Sequence, residues 1–460
     1  MTERDLYVYR KQYGVNIGSW FCLERWICHD LHVSDGDSEL DAVSGLVAKF
    51  GVEEAKRRFE HHWNSWIVDE DWKYLAERNV NSVRIPIGFW SLSHASLFKD
   101  SPFEAYAGVY ENCISILIKK VQEAHKYGIG VLLDLHAVYG GANEAIHSGT
   151  SSGKAEFFSN ANFQQRSVDT VRYMSDVFAQ FPNIVGIQVV SEPNYGQNEV
   201  LGRYYTACRA VVDKEIPVYI GDGWDLNAWV EWVHQHEQEG SYVVDHHYYF
   251  CFSEDDCKQR PKDIVKRVEA GEGCPDAEEC SVAVGEWSCT LSEQSWGRTK
   301  LPDKRRKDFG EAQVLLYTEK NGGSYFWTYK FSDGRGGEWD FREMNEAGNV
   351  VYPGPKPLPK SLDPPKAFVQ KRDSEYEEHV NYWTHQCPGE TFCHALFKQG
   401  WDDAWTDSLF FLKNNSVLGY PRIWAQMRTR TVCPDNKYAW EYLHAMQRAF
   451  QFLKTKGNVL

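Results

Sequence analysis

The chain has 460 residues and a formal net charge of −15 at pH 7, which argues against nucleic acid or an anionic membrane as a partner, because phosphates would be repelled. A neutral small molecule is the easier ligand. With 42% hydrophobic and 15% aromatic residues, the chain can fill one large core, enough for a barrel-sized domain with an addition.

The opening residues, MTERDLYVYRKQYG, are polar and charged and hold no apolar stretch of a secretory signal. No later run approaches the roughly 20 apolar residues that span a bilayer. None of the twelve cysteines has C-x-x-C spacing, so no zinc or redox motif is expected. These features predict a cytoplasmic protein with reduced thiols and no metal or organic cofactor. In a secreted form with a trimmed leader, Cys251 with Cys257 and Cys274 with Cys280 would be the pairs to bridge.

Eight short β-rich apolar runs follow in order: GVNIGSW (14–20), SVRIPIG (82–88), GVLLDLH (130–136), IVGIQVV (184–190), PVYIGD (217–222), YVVDHHYYF (242–250), VAVGEWS (282–288) and SYFWTYK (324–330). Most are continuously apolar, as expected of strands covered on both faces. Helical periodicity fills several of the gaps, at 69–79, 111–128 and 164–181, with a further helix near 52–61. The stretch SDGDSELDAVSG (34–45) reads as a polar loop. Eightfold strand–helix alternation predicts a (β/α)₈ TIM barrel, whose usual size is roughly 250 residues or more. A doubly wound sheet fits less well, because the first run leads into aromatics and not into a glycine-rich phosphate loop.

The expected division is a barrel over 1–352, a Pro/Lys-rich spacer over 353–374, and a mainly helical extension over 375–460 packed on the barrel. Its helical segments are 401–412 and 439–453.

The C-terminal ends of barrel strands carry the active-site face. Those ends hold Glu24, Arg84, His136, Ser191 with Glu192, His247 with Tyr249, Glu286 and Trp327. A ring of buried polar groups costs several kcal/mol unless its members satisfy one another or a ligand. Glu192 and Glu286 end the fourth and seventh runs, which lie on opposite sides of an eight-stranded barrel and face each other across its mouth. Two facing carboxyls suit glycosidic-bond cleavage, one as proton donor and one as nucleophile, with a spacing of about 5–5.5 Å in a retaining enzyme. Arg84 and Tyr249 are expected to hold Glu286 ionised, and burial beside His247 to raise the Glu192 carboxyl. Trp327 offers a flat floor for a sugar ring. The bland alternative is a pair of structural carboxylates balanced by Arg84.

At these positions the chain resembles glycoside hydrolase family 5, most closely its fungal exo-β-1,3-glucanase branch. The matching segments are GVNIGSWFCLE, VRIPIGFW, LLDLHAVYGGAN, SEP, VVDHHYYF, GEWS and FWTYK, in family order over roughly residues 10–345. The resemblance implies Glu192 as acid/base, Glu286 as nucleophile, and Glu24, Arg84, His136, His247, Tyr249 and Trp327 around the sugar. The tail resembles the helical extension of the family's intracellular fungal members. Where the family reads Asn-Glu-Pro, this chain has Ser191-Glu192-Pro193, a shorter side chain where an amide would bind the sugar 2-hydroxyl. Asn143 and Asn194 are the nearby residues expected to compensate.

The function expected from this is a retaining β-glycosidase on β-1,3-glucan ends, oligosaccharides or glucosides, including glucolipids. Ser191 motivates two rivals: a glycosidase for a sugar altered at C2, such as a glucosaminide or N-acetylglucosaminide, and a sugar-binding pseudoenzyme. Trp20, Trp63, Trp66, Trp72, His61 and His62 are expected in the core or on a helix face. His246 is expected to satisfy backbone groups, Trp224 to wall a distal subsite, and Glu338 to Asp340 to be solvated loop charge, with bordering the cleft as the alternative.

Overall fold

All eight runs form parallel strands: β1 Gln12–Asn16, β2 Ser82–Gly88, β3 Gly130–Ala137, β4 Ile184–Gln188, β5 Val218–Gly221, β6 Tyr242–His247, β7 Val282–Trp287 and β8 Gly323–Phe326. The computed structural model, which describes residues 1–274 and 281–455, joins them in chain order into a closed barrel, with β8 paired back to β1. Helices such as Asp69–Glu77, Cys113–Lys126 and Ala161–Phe178 fill the expected gaps. β2, β3, β6 and β7 are buried at every position, the physical counterpart of their unbroken apolar runs.

The barrel interior is packed, and glycines make room for its largest side chains. Tyr219 and Tyr325 each donate a hydroxyl hydrogen bond to Gln12 Oε1, at 3.1 and 2.7 Å. A Cβ on Gly14 would lie 2.2 Å from the Tyr325 ring, and one on Gly186 would lie 2.2 Å from Tyr219. Small residues on β1 and β4 thus oppose large ones on β8 and β5.

Three expectations need correction. The 34–45 stretch is not all loop, because Ser38 and Asp41 form a capping box that starts the helix Glu39–Phe50. That helix buries Ala42, Val43 and Leu46. The spacer is shorter than 353–374, since the helix Lys366–Gln386 begins directly after Pro365. Phe368 in its first turn is buried against Trp401 and Trp405.

Residues 1–11 do not belong to the barrel either; with the segment from Gly354 onward they form a second, helical unit. There the Tyr9 ring packs 4.9 Å from Trp424, and the Lys11 N–H donates to Val417 O at 2.7 Å. The unit also contains the helices Ala395–Lys413, Pro421–Val432 and Ala439–Thr455. Gly400 lets two of them approach closely, since a Cβ there would meet Tyr442 O at 2.7 Å. Among the described residues no helix is long and apolar enough to cross a membrane. Cys251, Cys257 and Cys274 carry free thiols, and Cys280 lies outside the described residues.

Gly186→Ala forces a methyl into the Tyr219 ring, a form of overpacking that typically costs about 1–3 kcal/mol. Gly389→Ala is the control, because nothing lies within 4 Å of the added carbon. Denaturant titration should show a lower midpoint for Gly186→Ala alone; equal midpoints would mean that the tyrosine is not held where described.

Candidate active site

The site is built on Arg84, which is fully buried inside the barrel. Its Nε donates to Gln188 Oε1 at 2.8 Å. Nη1 donates to Asn16 Oδ1 and Glu286 Oε1, both at 2.8 Å. Nη2 donates to Ser191 Oγ at 3.1 Å and lies 3.0 Å from Asp134 Oδ2. All five N–H groups of the guanidinium therefore have a partner.

Glu286 sits near the end of β7 with Arg84 on Oε1 and the Tyr249 hydroxyl donating to Oε2 at 2.9 Å. Glu192 follows β4 and takes φ +44°, a left-handed conformation uncommon for a non-glycine residue. Its backbone carbonyl accepts from Asn143 Nδ2 at 2.9 Å, so a neighbouring loop holds the strained residue. Its Oε1 lies 2.9 Å from His247 Nδ1, and His247 Nε2 lies 2.8 Å from Asp245 Oδ2. Oxygen and nitrogen atoms of Glu192, His247 and Glu286 all fall within 4.8 Å of one another. The two carboxyls converge.

The charge balance of the pair differs from expectation. Burial, the strongest influence on Glu192, pushes its carboxyl up. The hydrogen bond and charge of His247, helped by His147 and His136, outweigh it and bring the carboxyl down to about 2. Burial also pushes Glu286 up, and the charges of His247 and Arg84 do not fully reverse it. Burial lowers His247, but Glu286 and Asp245 carry it well above the ordinary imidazole range. In the substrate-free site these directions favour the proton on His247, one hydrogen bond from Glu192.

The remaining expected residues gather at the same mouth. His136 Nδ1 lies 2.7 Å from Asp134 Oδ2, and its ring stacks on Trp327 with centroids 5.9 Å apart. Glu24 accepts from Trp26 Nε1 at 2.9 Å. Its burial outweighs the opposing pull of His136 and Trp26 and lifts the carboxyl to about 7. Ser191 is fully buried, with its hydroxyl on Arg84.

Two expectations about compensation are corrected. The Asn143 amide is spent on Glu192 O, His147, Ala145 and Ser148, so it braces the loop and does not face a ligand. Asn194 turns to Glu144. His246 pairs with the Asp222 carboxylate and not with backbone. Nor is the loop after β8 plain solvated charge. Trp339 packs on Trp26 and Tyr249, Asp340 caps the helix Phe341–Glu346, and Glu338 pairs with Arg306. Trp20, Trp63, Trp66 and Trp72 are core, and His62 meets Ser19 O at 2.9 Å, as expected. Trp224 is half exposed just beyond β5, at φ +66°.

The chain is 48% identical over 457 residues to "Glucan 1,3-beta-glucosidase 3" of Schizosaccharomyces pombe, covering 99% of this chain and 98% of that one. It belongs to the fungal exo-β-1,3-glucanase-like branch of glycoside hydrolase family 5. This glycoside hydrolase is also 32% identical to an uncharacterized glycosyl hydrolase of Saccharomyces cerevisiae, over 97% of this chain and 92% of the relative. Residues 366–455 match the family model described as the glucan 1,3-beta-glucosidase 3 C-terminal domain. In fold, the chain is similar to a rutinosidase from Aspergillus niger, with a TM-score of 0.59 and 20% identity over 75% of this chain and 98% of that one.

Sequence reading missed Asn16, Asp134, Gln188, Asp245 and His147. The first four are polar residues inside strands, and alternate strand residues share one face, so an interior polar layer could have been read from Arg84 outward. Gly285 belongs with them, since a Cβ there would lie 1.8 Å from Asp245 Oδ1. His147 lies on a 3₁₀ turn beyond β3, with Nε2 3.5 Å from Glu192 Oε2, and no strand-end rule reaches it.

Glu24 gives a test of this electrostatic picture. Its folded-state carboxyl lies above its unfolded value, so its contribution favours folding at low pH and is lost as pH rises toward about 7. Glu24→Gln removes that loss. The denaturation midpoint of the variant relative to the native chain should rise between about pH 5 and pH 8. A pH-independent difference would place the carboxyl in ordinary solvent-like surroundings.

Proposed function

We propose that the chain is a retaining β-glycosidase that hydrolyses β-glucosidic bonds at β-1,3-glucan ends, in oligosaccharides or in small glucosides. The observation that carries this reading is the approach of Glu192 and Glu286 within 4.8 Å at the barrel mouth. That approach, between one oxygen of each carboxyl, agrees better with the close pair of a retaining enzyme than with the roughly 6.5 Å or more of an inverting one. The name of the S. pombe relative supports β-1,3-glucan as the substrate class.

In this mechanism Glu286 forms a bond to the anomeric carbon as the glycosidic C–O bond breaks. Glu192, supplied through its hydrogen bond with His247, hands a proton to the departing oxygen. A water then loses a proton to Glu192 while its oxygen displaces Glu286 from the sugar. Arg84 and Tyr249 orient the attacking carboxylate, and the His136–Trp327 stack walls the sugar. The exposed Trp26 and Phe252 pack with the partly buried Trp339 into an aromatic rim suited to the next ring or to an aglycone. With no Asn side chain before Glu192, Ser191 supports a second reading, a substrate altered at C2. The cytoplasmic address predicted from sequence would suit soluble oligosaccharides or a glucosyl lipid head better than wall polymer.

The test is turnover of a panel of aryl β-glycosides, with product stereochemistry followed by NMR. The expected outcome is β-glucoside hydrolysis with retention, abolished by Glu286→Gln. Glucosaminide turnover exceeding glucoside turnover would favour the second reading, and inverted product would overturn the mechanism. A second variant tests the placement of the proton. His247→Asn leaves Glu192 to keep the proton unaided, so the basic limb of the kcat/KM profile should move to lower pH. With poor leaving groups the rate should also fall by about 10²–10⁴-fold. An unmoved basic limb would remove His247 from the proton path.

A further inference from the structure

We propose that the helical unit holds a divalent transition-metal site, best suited to zinc, formed by His379, His394 and Glu441. His379 lies on the helix Lys366–Gln386, His394 caps the helix Ala395–Lys413, and Glu441 lies in the first turn of Ala439–Thr455. Both imidazoles converge on one oxygen, with His379 Nε2 and His394 Nδ1 each 2.8 Å from Glu441 Oε2. The three donor atoms lie within 4.8 Å of one another.

Two features point to a cation and not merely to a hydrogen-bonded carboxylate. Glu441 is fully buried, and among the described residues its ion-pair partners are these two imidazoles alone. The ligands are also braced as metal ligands usually are. The Cys393 N–H donates to Glu441 Oε1 at 2.9 Å and leaves Oε2 to the imidazoles. Phe397 stacks on His379 with centroids 4.1 Å apart, and Phe392 stacks on His394 at 5.3 Å.

Two nitrogens and a carboxylate oxygen form a donor set of the borderline type that zinc takes. Bonds of about 2.0–2.2 Å in a tetrahedron put neighbouring donors about 3.4 Å apart. Each N···O pair would therefore open by about half an ångström on binding. The His394 side chain is 18% exposed, so the fourth position opens to water on that side. No short-range motif reveals the site, because its ligands come from three helices.

The test uses the full-length protein, stripped with chelator and titrated with Zn²⁺ by calorimetry, and with Co²⁺ for its visible d–d absorption. The expected result is about one ion per chain, tetrahedral-type Co²⁺ bands, and a higher melting temperature with Zn²⁺. His394→Ala, on the most exposed ligand, should weaken binding at least about 100-fold while the circular dichroism stays native. Glu286→Gln, which breaks the Glu192–His247–Glu286 cluster at the barrel mouth, should bind as the native chain does. Absence of Zn²⁺ and Co²⁺ binding by the native protein, unchanged affinity in His394→Ala, or loss of the ion in Glu286→Gln would each overturn the proposal.

Discussion

The burial of one guanidinium organises the barrel. Arg84 is charged at every accessible pH and wholly removed from water, a state tolerable only if each of its N–H groups meets an acceptor. Those acceptors come from β1, β3, β4, β7 and the turn after β4, so satisfying one side chain fixes the relative positions of most strands that carry the site. The Glu286 carboxylate takes its place from that requirement. Gln188 extends it by donating to Asp245 at 2.7 Å, and Asp245 in turn holds His247. Glu192, His247 and Glu286 are thus the outer layer of a network whose inner layer is structural.

That layering explains why the two carboxyls shift in opposite directions although burial pushes both up. Glu286 shares Arg84 with Asp134, and Asp245 lies close by, so the single cation is divided among several anions and burial prevails. Glu192 faces His247, whose other nitrogen already meets Asp245, and that bond favours the imidazolium. One proton then has two residences across a 2.9 Å contact, and its position follows whichever neighbour changes charge. In the proposed mechanism, conversion of Glu286 to an ester removes one of the anions that stabilise the imidazolium.

The strands and the reacting residues were legible because burial on both faces leaves an unbroken apolar run and because barrel chemistry collects at strand ends. Glu192, Glu286, His247 and Tyr249 sit there, and Arg84, inside β2, meets Glu286. The interior polar layer was not read, since Asn16, Gln188 and Asp245 look like lapses in apolar runs until Arg84 is seen to need them. Asn143 was read as a ligand residue because its side chain is polar and near the acid/base in sequence pattern. Backbone strain at Glu192 consumes that amide, and no linear pattern announces it. The N-terminal segment was assigned to the barrel by proximity in sequence, whereas Tyr9 finds its aromatic partner, Trp424, over four hundred residues away.

Ser191 brings the network and the substrate together. Its hydroxyl oxygen accepts from Arg84, so the serine preserves the satisfaction of the buried cation that any residue at this position must supply. What it gives up is reach. A side chain fully enclosed beneath the acid/base cannot extend past the guanidinium to a sugar hydroxyl, whereas an amide one bond longer can bond both. The structural half of the position's work is therefore retained, and under the proposed function the recognition half is vacated. On that reading, recognition at C2 falls to the groups around Glu192, among them His147, whose Nε2 lies 3.5 Å from Glu192 Oε2, and not to the residue that precedes it in sequence.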